Sequence, residues 1–178
     1  IVGIAGCTAL LLTGFGINDS ITGLAETQFS EVSLYDAMLN FRGDMNADDE
    51  AAFLQQCDGT VKDCAFLSMS SVNADVGKSQ KAVYLVGTDT PDMSSFMRFA
   101  LKGQTQAYPG DGETIINDNL ARILGVKVGD TITLENGSHN TITLKVTGIF
   151  YNVIYNYAYV TMNTLRAAPG FSSGINAA

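Results

Sequence analysis

His139 is the only histidine in the chain, so a Ser–His–Asp or Cys–His site would have to be built around it. It lies beside Asn136-Gly137, a hairpin signal, and a base carried on a mobile turn lacks the fixed orientation that catalysis requires. The plain reading of His139 is an exposed turn residue. Asn136-Gly137-Ser138 also spells a glycosylation sequon, but a turn explains it. Gly77-Lys78-Ser79 ends like a phosphate-binding loop. The leading glycine position is Val72, however, and Lys81-Ala82-Val83-Tyr84 reads as strand where a helix is needed to cradle phosphate. Asp44-Met45-Asn46-Ala47-Asp48 opens like a calcium loop, yet the sixth position is Asp49 instead of Gly and the twelfth is Gln55 instead of Glu. A solvated loop and a helix start account for it. No supported set of acid, base and nucleophile is found, and no metal-ligand cluster. The sequence therefore predicts no catalytic residues, no cofactor and no metal: a protein that is not an enzyme.

Charge narrows the partners. A net charge of -8 and a pI near 4.4 leave no clustered Lys and Arg to neutralise phosphates, which argues against nucleic acid. Tyr151, Tyr155, Tyr157 and Tyr159 gather beside Phe150 without a basic residue among them, so they read as sheet-face packing, with a partner or membrane-proximal surface as the alternative.

The elements follow from periodicity. Val32–Phe41 is apolar on both alternating faces, as a central strand would be. Asn46–Cys57 reads as a helix with Asp48, Asp49 and Glu50 in its first turn, where the dipole favours acids. Cys64–Val72 and Lys81–Gly87 are two further expected strands, and Thr90-Pro91 opens a short helix at about Met93–Met97. Thr114–Ile116 is a strand and Asp118–Leu124 a helix that Gly125 ends in a left-handed conformation, with Gly129-Asp130 turning the chain into the next strand. Ile132 and Leu134, then Ile142, Leu144 and Val146, alternate on either side of Asn136-Gly137 as a hairpin. Tyr157–Met162 is the last expected strand. Strands and helices mixed without regular alternation predict an α+β fold with a mixed or mainly antiparallel sheet, packed helices and a C-terminal β-hairpin.

Ile1 to Asn18 carries no charge, holds Leu10-Leu11-Leu12 and is rich in glycine, as membrane helices are. The run is short for a full span, so residues 1–17 read as the end of a transmembrane helix in a piece of a longer protein, and 18–29 as its stalk. A buried core helix is the alternative. A lipoprotein signal closing at Ile4-Ala5-Gly6-Cys7 is a second one, but the apolar run continues past Cys7. Asp19, Glu26 and Glu31 precede the first basic residue, Arg42, which places this flank outside the cell. An external compartment permits a disulfide, and Cys57 and Cys64 flank the Asp58-Gly59 turn as candidates for one.

Two stretches carry a family resemblance. Gly3-Ile4-Ala5-Gly6-Cys7-Thr8-Ala9-Leu10-Leu11-Leu12 through Ile21 resembles a transmembrane helix entering its stalk. Ile115-Ile116-Asn117-Asp118-Asn119-Leu120-Ala121-Arg122-Ile123-Leu124-Gly125-Val126-Lys127-Val128-Gly129-Asp130, with Lys145-Val146-Thr147-Gly148-Ile149-Phe150, is similar to the extracellular part of FtsX-like permeases of ABC transporters, the MacB-like periplasmic core domain. The resemblance implies residues 30–168 as that domain and 169–178 as a tail toward the next stalk. It implies a location at the cell membrane, a cytoplasmic ATPase subunit, a permease dimer, and an external protein or a lipophilic, peptide or lipoprotein substrate. A soluble or lipid-anchored ligand-binding domain is the competing expectation, and a cell-surface hydrolase a weaker third.

Overall fold

The computed structural model describes residues 2–77, 79–90 and 92–178. Ile1, Lys78 of the phosphate-loop-like tail and Pro91, the expected helix opener, lie outside the described residues. Helix α1 (Val2–Thr27) runs without a proline into a wider π turn, Gln28–Val32. Every residue from Gly6 to Leu24 is exposed, including Leu10, Leu11, Leu12, Phe15, Ile17 and Ile21: α1 projects from the domain with apolar side chains on all sides. No helix among the described residues is long and apolar enough to cross a membrane.

The remaining chain is an α+β fold. Its elements are β1 (Asn40–Met45), α2 (Ala47–Cys57), β2 (Leu67–Val76), β3 (Ser79–Thr88), β4 (Ala100–Leu101), β5 (Gln104–Thr105), β6 (Glu113–Asn117), α3 (Asp118–Leu124), β7 (Thr131–Glu135), β8 (Thr141–Phe150), β9 (Tyr157–Thr161), α4 (Met162–Arg166) and β10 (Ile175–Ala177). The large sheet has the order β1-β10-β2-β3-β9-β6-β8-β7, and β7 also pairs with β2, so six of its strands close into a barrel. The pairs β3–β9 and β6–β8 are parallel and the other pairings antiparallel.

Alternation along the strands sorts the side chains between two cores. Val83, Leu85, Ile132, Leu134, Ile142, Leu144, Val146, Ala158 and Val160 fill the barrel, and Leu120 and Leu165 from α3 and α4 join them. Their neighbours Val86, Ile115, Phe150 and Tyr159 form a second core outside it, with Val32, Met93, Met97 and Phe99. A bulge in β8 serves both: Thr114 pairs with Val146 but Ile115 with Gly148, leaving Thr147 as an extra residue. The phase reverses there, so that Ile149 packs against the barrel core and Phe150 belongs to the outer one.

Three expectations differ from the structure. Val32–Phe41 is not a central strand. Val32 closes the π turn, Ser33 makes an isolated bridge to Met97, and Leu34 N–H donates to the Phe96 carbonyl; the apolar run is there because it covers the outer core. Met93–Met97 is one turn instead of a helix, closed by Met97 N–H on the Met93 carbonyl, with Asp92 accepting from Ser94 N–H. Segment 169–178, expected as a tail, supplies β10 between β1 and β2. There the Asn176 side chain pairs with both the N–H and the carbonyl of Met69, standing in for a backbone partner.

Leu134 is fully buried in the barrel while Thr133 beside it is exposed. Leu134→Ala is expected to cost about 2–5 kcal/mol and Thr133→Ala, which loses only the exposed contact to Thr143 Oγ1, no more than about 1 kcal/mol. Urea midpoints at unchanged slope measure both.

Candidate functional site

The first candidate site is the joint between α1 and the barrel. Gln28 at the base of the helix is buried, and a buried primary amide has to be hydrogen-bonded on both ends. Its Nε2 donates to Ser33 Oγ at 3.0 Å and to Asn152 Oδ1 at 2.7 Å, and its Oε1 accepts from Val153 N–H at 3.1 Å. Asn152, in the loop between β8 and β9, is buried in turn and donates from Nδ2 to the Ile154 carbonyl. Asn117 continues the chain. It stands at the N-cap of α3 but makes no side-chain cap. Its Nδ2 donates to the Tyr155 carbonyl at 3.1 Å and its Oδ1 accepts from Tyr157 N–H at 3.0 Å. Three buried neutral amides thus link the end of α1 to the β8–β9 loop, and that loop to α3 and β9. Tyr155 within the loop has φ 60, a left-handed conformation that is strained for a bulky residue.

The second candidate is a cleft of about 540 Å³ on the outer face of the sheet. Leu34, Met38, Phe53, Met69, Met93 and Phe96 line it, and Asp36, Lys62 and Asp63 add charge. Four of the chain's six methionines border the cleft, and thioether side chains are adaptable enough to meet irregular apolar surfaces. Next to it runs a ladder of rings. Tyr159 meets Phe99 at 4.9 Å and Phe150 at 5.7 Å between centroids, Tyr157 stacks on Tyr159 at 5.9 Å, and Tyr84 contacts both Tyr157 and Tyr155 at 5.5 Å. Burial, then the neighbouring Tyr157, Tyr108 and Tyr35, push the Tyr159 hydroxyl well above the ordinary tyrosine range. Burial also raises Tyr108, whose hydroxyl donates to the Val160 carbonyl at 2.9 Å. Burial, then Tyr35, Tyr84 and Tyr155, push Tyr157 up to about 12.

The turn residues singled out by sequence lie apart from both places, whereas Cys64 and Tyr159 line the cleft and Tyr155 and Tyr157 bond to Asn117 in the joint. Gly125 has φ 70 and its N–H closes α3 on the Ala121 carbonyl. Gly129 has φ 99 and donates to the Val146 carbonyl, while Asp130 Oδ2 accepts from Lys127 N–H at 2.8 Å. Asn136 Oδ1 accepts from the N–H groups of Ser138 and Asn140, and its Nδ2 donates to the Gly170 carbonyl. The left-handed residue of that loop is His139, φ 62, and not Gly137; the exposed His139 Nδ1 lies 2.6 Å from Glu135 Oε1. All three cysteines are free thiols. Among the described residues no group of three or more His, Cys, Asp or Glu is placed to hold a metal ion.

Sequence reasoning missed Gln28, Asn117 and Asn152, because a polar residue in a stalk, at a helix start and in a loop each has an ordinary explanation. It also passed over Gly170-Phe171-Ser172-Ser173-Gly174, the spelling of a hydrolase nucleophile turn. That segment is irregular chain leading to β10 and not a strand-to-helix turn, and the exposed Ser172 Oγ accepts from Gly174 N–H.

Tyr108, Tyr157 and Tyr159 are expected to resist ionisation in the folded domain while the unfolded chain loses its phenolic protons near 10. The unfolded state then binds fewer protons than the native one, so the stability these groups contribute is full below pH 10 and is lost as the pH rises through about 12. Tyrosinate absorbance and urea midpoints across that range measure it. A titration in which all seven tyrosines ionise together near 10 in the folded domain would contradict it.

Comparison with known proteins follows the fold. No curated protein matches the chain. Among solved structures it is similar to the extracellular domain of the noncanonic ABC-type transporter YknZ from Gram-positive bacteria, at 17% identity and a TM-score of 0.54, over 79% of each chain. At that identity the likeness is one of fold. The MacB-like periplasmic core domain matches residues 1–176, and this chain belongs to that family.

Proposed function

We propose that the chain is the extracellular domain of an ABC-type transporter permease at the cell membrane, without catalysis of its own. Its work is to couple cytoplasmic ATP hydrolysis to export, or to mechanical relay, of a peptide, lipophilic or lipoprotein substrate. Within this reading residues 1–17 end a transmembrane helix, 18–29 form its stalk, the partner is a cytoplasmic ATPase subunit and the permease is a dimer. Family membership supports it, and one observation carries it: the exposed helix α1 is bonded through the buried Gln28 to the β8–β9 loop. A displacement of α1 therefore reaches the barrel through hydrogen bonds of fixed geometry. A second reading, a surface domain that binds an apolar ligand by itself, is favoured by the methionine-lined cleft.

Deleting residues 30–161 behind a short linker in the complete permease, with ATP hydrolysis and export assayed separately, tests the proposal. Export is expected to fail while ATP hydrolysis persists. Intact export, or turnover of a substrate by the purified domain, overturns the coupling reading. If export is intact and the purified domain binds an apolar peptide, the second reading stands.

Gln28→Ala is the finer probe, because it leaves Asn152 Oδ1 and Val153 N–H without their partner. The isolated domain is expected to lose about 1–3 kcal/mol. In the permease, export should fall further than ATP hydrolysis; an equal fall in both would indicate that the joint holds the fold and relays nothing.

A further inference from the structure

We infer that Cys57 and Cys64 are an oxidisable pair whose disulfide staples α2 to the segment entering β2 and fixes the adjoining wall of the cleft. The geometry rests on two faces. In α2 only Glu50, Phe53 and Cys57 are half-buried and the other residues are exposed, so Phe53 and Cys57, four apart, share the face turned toward the domain. In the extended segment before β2, Cys64 and Phe66 are half-buried while Ala65 and Leu67 between and beyond them enter the outer core, so Cys64 and Phe66 point the same way. Phe53 and Phe66 meet edge to face, with ring centroids 6.0 Å apart. The contact that joins these rings therefore sets Cys57 and Cys64 across the same seam.

The intervening loop reverses the chain tightly. Thr60 and Val61 both donate their N–H to the Cys57 carbonyl, and Gly59 takes φ 71. Burial raises the Cys64 thiol, and the neighbouring Cys57 and Asp63 add to the rise. Little else secures α2, which has no fully buried residue and depends on Phe53 held between Phe41 and Phe66. Thr60 through Ala65 also line the cleft, so a bond at its end limits how far that wall can open.

The oxidant is a small disulfide. One cysteine thiolate attacks it and releases one donor thiol, and the second cysteine displaces the other donor thiol from the mixed disulfide. Two protein thiols are oxidised to one disulfide as one donor disulfide is reduced to two thiols.

The experiment uses the domain with Cys7→Ser and glutathione disulfide as the probe. After incubation, free thiols are alkylated and the protein is digested with trypsin, which cuts at Lys62 between the two cysteines. The expected result is a pair of peptides joined until reductant is added, with unchanged circular dichroism and a Tm raised by about 5 °C. The Cys57→Ser/Cys64→Ser variant in the same background should show no shift. Alkylation of both thiols after incubation, or glutathione retained on either cysteine, overturns the inference, and so does a Tm rise that persists in the double variant.

Discussion

Two residue pairs, Asn73 opposite Glu135 and Ala74 opposite Leu134, turn an open sheet into a barrel, and the rest of the structure depends on them. Without them β2 and β7 would present unpaired edges, and the apolar alternation of β7 and β8 would face water. Strand β2 can close the ring because it is ten residues long and divides one edge between β10 and β7. Leu67 pairs with β10, Met69 with the Asn176 amide, and Asn73 and Ala74 with β7. A late segment, 175–177, thereby completes a strand laid down a hundred residues earlier.

Closure also sets what the interior holds. Six strands leave an interior only wide enough for side chains, and here Leu85, Leu134, Leu144 and the α3 residue Leu120 occupy it. The cleft and the ring ladder lie on the outer face. Aromatic rings suit that face because large flat groups cover a sheet with little loss of side-chain freedom, while edge-to-face contacts fix their mutual orientation.

Much of this was legible in the sequence. The hairpin of β7 and β8, helix α3 and its left-handed Gly125, and the acidic first turn of α2 each depend on neighbours within a few residues, and local patterns report such things well. In α2, Asn46 and Asp49 cap reciprocally and leave Asp48 and Glu50 free for the dipole. What was not legible depends on distant partners. Val32–Phe41 has a strand's composition, but its bonds go to Phe96 and to Ala178. Segment 169–178 has too few apolar residues to announce a strand, and becomes one because β1 and β2 leave a place for it. The bulge at Thr147 is equally silent: Val146-Thr147-Gly148-Ile149 breaks the alternation, but only the register with β6 says why.

The joint at Gln28 explains why such a link would use amides instead of an ion pair. A buried salt bridge carries a desolvation cost that its attraction offsets only with near-ideal geometry. Neutral amides avoid most of that cost and still impose direction, since each must both donate and accept. Gln28 engages a side chain at Asn152 and a backbone N–H at Val153, so rotating or withdrawing α1 breaks bonds to two successive residues at once. Asn117 holds the far end of the same loop through Tyr155 and Tyr157. The loop is thus gripped from both sides, with the strained Tyr155 between the grips. Backbone strain persists only where the surroundings over-determine it, so a shift in α1 would relax or raise that strain instead of dissipating in a slack loop.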